Sequence, residues 1–175
     1  MALKRGIVEL ENYNSKWEED YKEEEKLLKK VLKKYIIEIH HIGSTSIKEL
    51  MAKPIIDILI VIRSFDDIGK IEEILKKYNY TNRGHQGVND RYFFAKGTED
   101  ARTHYIHFVD KKGDTYYNQL YFKRYLLEYP EYIDKYCHLK QALALKYKNE
   151  RTKYTQSKND FIKDIIIKAK GKYDD

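Results

Sequence analysis

Residues 55–62 constrain the fold of this chain more than any other segment. They read Ile-Ile-Asp-Ile-Leu-Ile-Val-Ile. The residues on both faces of such a strand are apolar, and a single acid, Asp57, interrupts them. Such a run predicts a strand covered on both faces. A carboxylate buried in it without a partner would be strongly destabilising, so Asp57 should be paired, protonated or bound to a cation. On a regular strand it shares a face with Leu59 and Val61, and its partner is expected near the start of the strand.

A Gly-Ser turn precedes this strand, within the His-Ile-Gly-Ser-Thr-Ser-Ile sequence of residues 41–47. Gly43 and Ser44 at the start of a short helix would present backbone N–H groups and hydroxyls to a phosphate. Ordinary N-capping by Ser44 or Thr45 is the alternative, and the turn is not a Walker P-loop. Because Lys53 and Asp57 follow the turn, the segment predicts a site for phosphate and metal.

Histidines cluster around these segments. Two of them, His104 and His107, form a His-x-x-His pattern on a predicted strand. On a regular strand they point to opposite faces, so they reach one site only through a bulge, or if His104 precedes the strand. The clustering favours a metal or proton-transfer role, while a hydrogen-bonded structural histidine is the alternative for His107.

A further group of polar residues lies near the C-terminus: Arg151, Tyr154 and Lys158. Tyr154 and Lys158 are one turn apart if both are helical, so they could reach the same anionic ligand. A solvent-facing helix start is the alternative.

Composition limits the class of protein. A chain of 175 residues is expected to form one domain, residues 1–175, and a single cysteine, Cys137, excludes an internal disulfide or a thiolate zinc cluster. No apolar run is long enough to span a bilayer and the start lacks a secretory signal, so we expect a cytoplasmic protein without a membrane partner. The net charge of +6 admits nucleic acid as a partner, but lysines alternate with glutamates along the predicted helices, which does not favour it.

The remaining pattern predicts a mixed α/β (α+β) chain. A helix from Ser15, capped by a Ser15–Glu18 box, precedes a strand at 36–42, a short helix at 45–51 and the buried strand. A helix capped by Asp66 or Asp67 follows, and then strands near 78–82, 91–96 and 103–110. Helices are predicted at 116–128, 131–148 and 157–169. The expected architecture is a small mixed sheet with flanking helices and a C-terminal helical cluster.

With these residues in hand, the chain resembles the GrpB family, whose members are placed in the nucleotidyltransferase superfamily. The resemblance covers nearly the whole length. The matching positions are 8–10, 13–14, 17, 41–46, 50, 52–58, 94–97, 102–104, 107, 122, 125–126, 130–131, 136, 139–140, 154, 158 and 161–162.

The resemblance implies a nucleotidyltransferase-like fold and a site. Gly43 and Ser44 match the phosphate-binding turn, and Asp57 matches one metal carboxylate. Mg²⁺ or Mn²⁺ is implied if the protein is a catalyst, because such metals offset charge during phosphoryl transfer. The chain departs from that pattern at Leu59, where a second carboxylate is usual.

The implied roles define our candidate residues. Asp57 and His107 are the candidate catalytic residues, and His41 and His104 join them as candidate metal ligands. The candidate phosphate and substrate residues are Gly43, Ser44, Thr45, Lys53, Lys96, Arg102, Tyr154 and Lys158.

Three functions follow. The first is a metal-dependent nucleotidyl- or phosphoryl-transferase acting on a nucleotide or another phosphorylated small molecule. The second is a non-catalytic module that binds a nucleotide or coenzyme A precursor, which the missing acid at Leu59 favours; some family members are fused to dephospho-coenzyme A kinase. The third is an RNA-binding domain. The sequence decides neither whether a reaction occurs nor the oligomeric state.

Overall fold

The computed structural model describes residues 6–174 of the chain. Five strands and six α-helices are formed by these residues. In chain order they are α1 (Lys16–Val31), β1 (Ile36–Ile42), β2 (Ile56–Ile62), α2 (Ile68–Lys76), β3 (Tyr80–Asn82), β4 (Arg91–Thr98), β5 (Ala101–Val109), α3 (Asp114–Glu128), α4 (Glu131–Lys146), α5 (Arg151–Ser157) and α6 (Asn159–Tyr173).

The strands form one mixed sheet in the order β1-β2-β5-β4-β3. The central pair, β2 and β5, is parallel, and the other neighbours are antiparallel. The parallel pair is possible because α2 and the β3–β4 hairpin lie between its strands in the chain. The predicted fold class, a small mixed sheet with flanking helices and a C-terminal helical cluster, is confirmed.

Both faces of the sheet are covered, as the apolar run in β2 predicts. Ile56, Ile58, Ile60 and Ile62 pack on one side with residues of α1 and α2. Leu59 and Val61 pack on the other side in a small cluster with Tyr116 of α3. A third cluster joins α3, α4 and α6 and includes Ile47 and Leu50 from the segment after β1. Asp57 therefore faces the side on which the C-terminal helices lie.

Two predicted helix caps have the expected positions but not the expected bonds. Ser15 is the N-cap residue of α1 and Asp67 that of α2, yet neither side chain makes a capping bond. Before α1, Asn14 Oδ1 accepts instead from the backbone N–H of Lys16 at 2.9 Å. Before α2, Ser64 caps the 3₁₀ turn Phe65–Asp67, and its hydroxyl accepts from the N–H of Asp66 at 3.1 Å. In both cases a small polar residue upstream satisfies the free N–H groups first.

Two predicted helices have different bounds. The helix expected at 45–51 is only a 3₁₀ turn over Ser44–Ser46, and Glu49 further on has a positive φ of 69° that no right-handed helix allows. The helix expected at 157–169 is α6, which runs from Asn159 to Tyr173, and a separate short helix, α5, precedes it and ends just before Lys158.

Among residues 6–174, no helix has both the length and the apolar composition needed to cross a membrane.

Candidate functional site

The Gly-Ser turn lies directly against Asp57. The last residue of β1, Ile42, pairs with Asp57 in the sheet, so the chain leaves β1 at the level of this carboxylate. Gly43 then adopts φ 71° and ψ −174°, a region that essentially only glycine occupies. A Cβ at this position would lie 2.8 Å from Asp57 Oδ2. Position 43 therefore requires glycine for two reasons: its backbone angles, and the close contact with Asp57 that leaves no room for a Cβ.

The three hydroxyls of the turn have different partners. Ser46 Oγ donates to the carbonyl of Gly43 at 2.6 Å, and Thr45 Oγ1 lies 3.0 Å from His41 Nε2. These two bonds hold the turn together, and Thr45 is buried. Ser44 Oγ instead accepts from Lys140 Nζ at 2.6 Å. Of the predicted phosphate-binding hydroxyls, Ser44 is the one that is bonded to a C-terminal helix.

Asp57 has a partner, as its position in the apolar strand requires. The parallel register sets Leu59 beside His107, so His107 shares the sheet face of Asp57, and its Nε2 lies 3.2 Å from Asp57 Oδ1. Arg91 Nη1 lies 3.2 Å from the other ring nitrogen, Nδ1. Because a guanidinium only donates, Nδ1 accepts, and the ring proton on Nε2 is donated to Asp57. The chain Arg91–His107–Asp57 thus fixes the orientation of the carboxylate.

These groups border a cavity of about 300 Å³ between the sheet and helices α3 to α6. The volume is at the lower end of small-molecule sites. Eight of the twelve candidate residues line it: Gly43, Ser44, Thr45, Lys53, Asp57, His107, Tyr154 and Lys158.

Three lysines line this cavity together with the single acid Asp57. Lys140 of α4 is 2% exposed, and its ammonium donates to Ser44 Oγ and, at 2.8 Å, to the carbonyl of Met51. Burial lowers its pKa well below the usual range, and the charges of Lys158 and Lys53 lower it further. A lysine held in this way anchors the Gly-Ser turn to the C-terminal helices.

The other two lysines also have lowered pKa values. Burial lowers the pKa of Lys53 to about 7, and the charges of Lys158 and Arg151 add to this effect. The pKa of Lys158 is lowered to about 8, again mainly by burial, although Asp57 opposes the shift. Mutual repulsion of this kind disfavours the charged forms, and an added anion would relieve it.

Two polar atoms on the cavity wall lack hydrogen-bond partners among the described residues. Tyr154 is fully buried and its hydroxyl is unpaired, while the ammonium groups of Lys158 and Lys53 lie 4.5 and 5.4 Å from the centre of its ring. The side-chain oxygen of Asn118 is also buried and unpaired. Buried polar groups are nearly always paired, so these atoms indicate a polar molecule in the cavity.

The structure does not bring His41 or His104 to Asp57. His41 pairs with Ile58 in the sheet and His104 with Ile56, so both side chains lie on the opposite face. His41 stacks on Tyr21 of α1 at 4.5 Å, and burial together with the charge of Lys123 lowers its pKa to about 4. The register of β5 against β4 shifts beside His104, between the Lys96–His104 and Gly97–Arg102 pairs, but β5 pairs regularly with β2 from His104 to Val109, so His104 stays on the face opposite His107.

Lys96 and Arg102 also lie outside the cavity. Lys96 is on the opposite face, where its ammonium contacts both carboxylate oxygens of Glu24 at 2.8 and 2.9 Å. Arg102 follows the β4–β5 turn and donates to the carbonyl of Gly97 at 2.5 Å. A role for these two residues at Asp57 is therefore not supported by their positions.

The residues around Asp57 do not fit a metal centre held by the protein. No group of three histidine, cysteine, aspartate or glutamate side chains within residues 6–174 could hold a metal ion. The one ring lone pair of His107 able to bind a metal, on Nδ1, accepts from Arg91 while Nε2–H donates to Asp57, so neither ring nitrogen is free, and Leu59 supplies no second carboxylate. The remaining charged groups are lysines, which repel a cation.

Sequence reasoning from the residues alone missed Lys140 and Tyr136, which line the cavity, and Arg91, which contacts His107. A signal for Lys140 exists: it lies on the same face of α4 as the buried residues Ile133 and Tyr136, where a charge has no structural reason to be.

Comparisons with known proteins identify the family of the chain. The family model described as GrpB protein matches residues 7–168. The UPF0157 protein YqkA of Bacillus subtilis is 39% identical over 163 residues, which are 93% of this chain and 47% of that protein. This chain thus spans about half the length of that relative.

Two further relatives are similar over their whole length. The glutamate-rich protein GrpB of Alkalihalophilus pseudofirmus is 32% identical over 95% of this chain and 98% of its own. The crystal structure of the conserved protein GrpB from Enterococcus faecalis superposes with a TM-score of 0.89 and 32% identity, covering 95% of this chain and 100% of that one. Because the family model and these relatives extend over nearly all of its residues, the chain belongs to the GrpB family.

Proposed function

We propose that the chain binds a phosphorylated small molecule, of the nucleotide or coenzyme A precursor class, in the cavity beside Asp57. The observation that carries the proposal is the charge of the cavity wall, where Lys53, Lys140 and Lys158 surround a single carboxylate. Lysine is a common ligand of phosphate because its ammonium is a compact charge with three donors.

The hydrogen-bonding groups support the same class of ligand. Lys140 and Ser44 are already bonded to each other at 2.6 Å, so a phosphate at this pair would meet an ordered donor and a hydroxyl without rearranging the turn. The unpaired hydroxyl of Tyr154 is a further donor on the wall. An anion in the cavity would also restore the favoured, charged forms of Lys53 and Lys158.

Titration calorimetry tests this proposal, using ATP, UTP, 4′-phosphopantetheine and dephospho-coenzyme A, each with and without Mg²⁺. We expect at least one of them to bind and Lys158→Met to weaken its binding by about tenfold or more. Lys163→Met is the matched control, because Lys163 is an exposed lysine of α6, the helix that begins directly after Lys158. It removes the same charge and should change the Kd by less than about twofold.

Two results would contradict the proposal. One is the absence of binding for every ligand of the series. The other is an equal loss of affinity in Lys158→Met and Lys163→Met, because binding would then depend on net charge and not on the cavity.

A transfer reaction at the same cavity is the second candidate function. The observation that favours it is the oriented carboxylate of Asp57, which is 29% exposed and held by His107, itself held by Arg91. Such a carboxylate could accept the proton of an attacking hydroxyl beside the bound phosphate.

Asp57→Asn separates the two candidates. If the protein only binds an anion, removing the negative charge leaves the affinity unchanged or raises it. If Asp57 acts in transfer, turnover of the bound nucleotide with an acceptor is lost in the variant while binding remains. Loss of ligand binding that occurs only in the presence of Mg²⁺ would instead assign Asp57 to a metal carried by the ligand.

A further inference from the structure

A second cavity, of about 590 Å³, adjoins the first. Tyr105 and Thr155 line both. Three arginines line the second cavity: Arg83, Arg102 and Arg151. We call it the arginine cavity.

Two of these arginines have no acidic partner within residues 6–174. Arg102 is 8% exposed, and the hydrogen bond found for it goes to the carbonyl of Gly97. Arg151 Nη2 donates to the hydroxyl of Tyr105 at 3.0 Å. Arg83 differs, because Glu99 lies 3.5 Å from its guanidinium. A largely buried guanidinium without a carboxylate is costly, so the arginine cavity is suited to an external anion.

The backbone holds Arg102 in place. Gly97 has a φ of 94°, and a Cβ there would collide with the carbonyl oxygen of Ala101. Gly97 pairs with Arg102 across the β4–β5 turn, one register position from the Thr98–Ala101 pair that closes it. The tight turn thus fixes the start of β5, and the bond from Arg102 to Gly97 fixes the guanidinium. Preorganised donors of this kind lose little freedom when they bind an anion.

The two cavities are electrostatically connected. The charge of Arg151 lowers the pKa values of Lys53 and Lys158, which line the first cavity. The guanidinium of Arg151 also lies within hydrogen-bond distance of Tyr105, a side chain that lines both cavities. Basic side chains therefore line both cavities, from Lys140 in the first to Arg102 in the second.

We propose that the arginine cavity binds a second anionic group of the same ligand whose phosphate lies beside Ser44 and Lys140. The ligand class is then a small molecule with two separated anionic groups, such as a nucleoside bisphosphate. This inference rests on the proposed function and adds its substrate class. Tyr105 lies between the two anions and can contact the part of the ligand that joins them.

The test compares ligands that differ by one phosphate. Calorimetry measures binding of AMP, adenosine 2′,5′-bisphosphate and adenosine 3′,5′-bisphosphate to the wild type, Arg102→Met, Arg151→Met and Arg63→Met. Arg63 is an exposed arginine directly after β2 and serves as the charge control. Thermal unfolding of each variant verifies that it is folded.

We expect one bisphosphate to bind the wild type about tenfold or more tightly than AMP. Arg102→Met and Arg151→Met should each remove that advantage while leaving the affinity for AMP within about twofold, and Arg63→Met should preserve it. Equal affinities for AMP and both bisphosphates in the wild type, or an advantage that survives in both Arg102→Met and Arg151→Met, would overturn this inference alone. Failure of all three nucleotides to bind would also overturn it, and the proposed function would fall with it only if the four ligands of the first titration fail to bind as well.

Discussion

Replacement of Gly43 by alanine tests the contact on which the candidate site is built. Gly43 has φ 71° and ψ −174°, and a residue with a Cβ held in this region costs about 1–3 kcal/mol. The new Cβ would also lie 2.8 Å from Asp57 Oδ2 and 3.0 Å from Asp57 Cβ, so the carboxylate has to move.

Movement of the carboxylate weakens its hydrogen bond with His107, which is 3.2 Å long in the wild type. Hydrogen bonds to charged groups contribute about 1.5–3 kcal/mol, and only part of this is lost if the bond stretches. Together the two effects predict a loss of about 2–5 kcal/mol in the free energy of unfolding. For a chain of this length that corresponds to a fall in Tm of about 5–20 °C.

Urea denaturation followed by circular dichroism measures this loss. Gly69→Ala is the matched control, because Gly69 is exposed in α2 and a Cβ there meets no atom within 4 Å. That variant should gain up to about 1 kcal/mol, since alanine is the better helix former.

A double-mutant cycle with Asp57→Ala separates the backbone effect from the collision. Asp57→Ala removes the oxygen that the new Cβ would meet, so Gly43→Ala should be less costly in that background by about 0.5–3 kcal/mol. A single variant Gly43→Ala within about 0.5 kcal/mol of the wild type would refute both parts of the reasoning. An unchanged cost in the Asp57→Ala background would refute the collision alone.

Three further predictions concern stability. Because the pKa of Lys53 falls from 10.5 to about 7 on folding, the unfolded chain binds more protons between these values. The free energy of unfolding should therefore rise from pH 7 to 9.5, and urea titrations should show a smaller rise in Lys53→Met. Glu24→Ala leaves the ammonium of Lys96 without its partner and should cost about 3–5 kcal/mol by the same assay, whereas Glu24→Leu combined with Lys96→Met should cost less than half as much. Glu49→Gly should raise the Tm in a thermal unfolding scan, because Glu49 has a φ of 69° that glycine adopts without strain; an unchanged or lower Tm would contradict this.

The sheet and the turn could be predicted because their signals are local. The apolar run of β2 identified a strand covered on both faces, and the alternation of β5 correctly placed His104 and His107 on opposite faces. Gly43, Ser44 and Asp57 are close in sequence as well as in space.

The rest of the site depends on tertiary contacts that sequence patterns do not contain. Lys140 meets Ser44 from 96 residues away, and a lysine in a helix is ordinarily solvated. The position of His41 depends on the register of β1 against β2, and a shift of one residue would have turned it toward Asp57. Lys96 lies on the other face of the sheet, where it pairs with Glu24. Glu24 is a buried acid of α1 that the charge pattern of that helix did not distinguish from its exposed neighbours.

The bond from Lys140 to Ser44 joins two distant parts of the chain, and this has a consequence for which helices a bound ligand would stabilise. The sheet supplies only one wall of the cavity, and the other comes from helices that follow β5 in the chain. A shortened chain that ends at Val109 would keep every strand and Asp57 but would lose all groups from Lys140 to Lys158. A ligand bound in the cavity would contact both the early and the late parts of the sequence. Its binding should therefore slow amide hydrogen exchange most in α5 and α6, which are far along the chain from the turn that holds its phosphate.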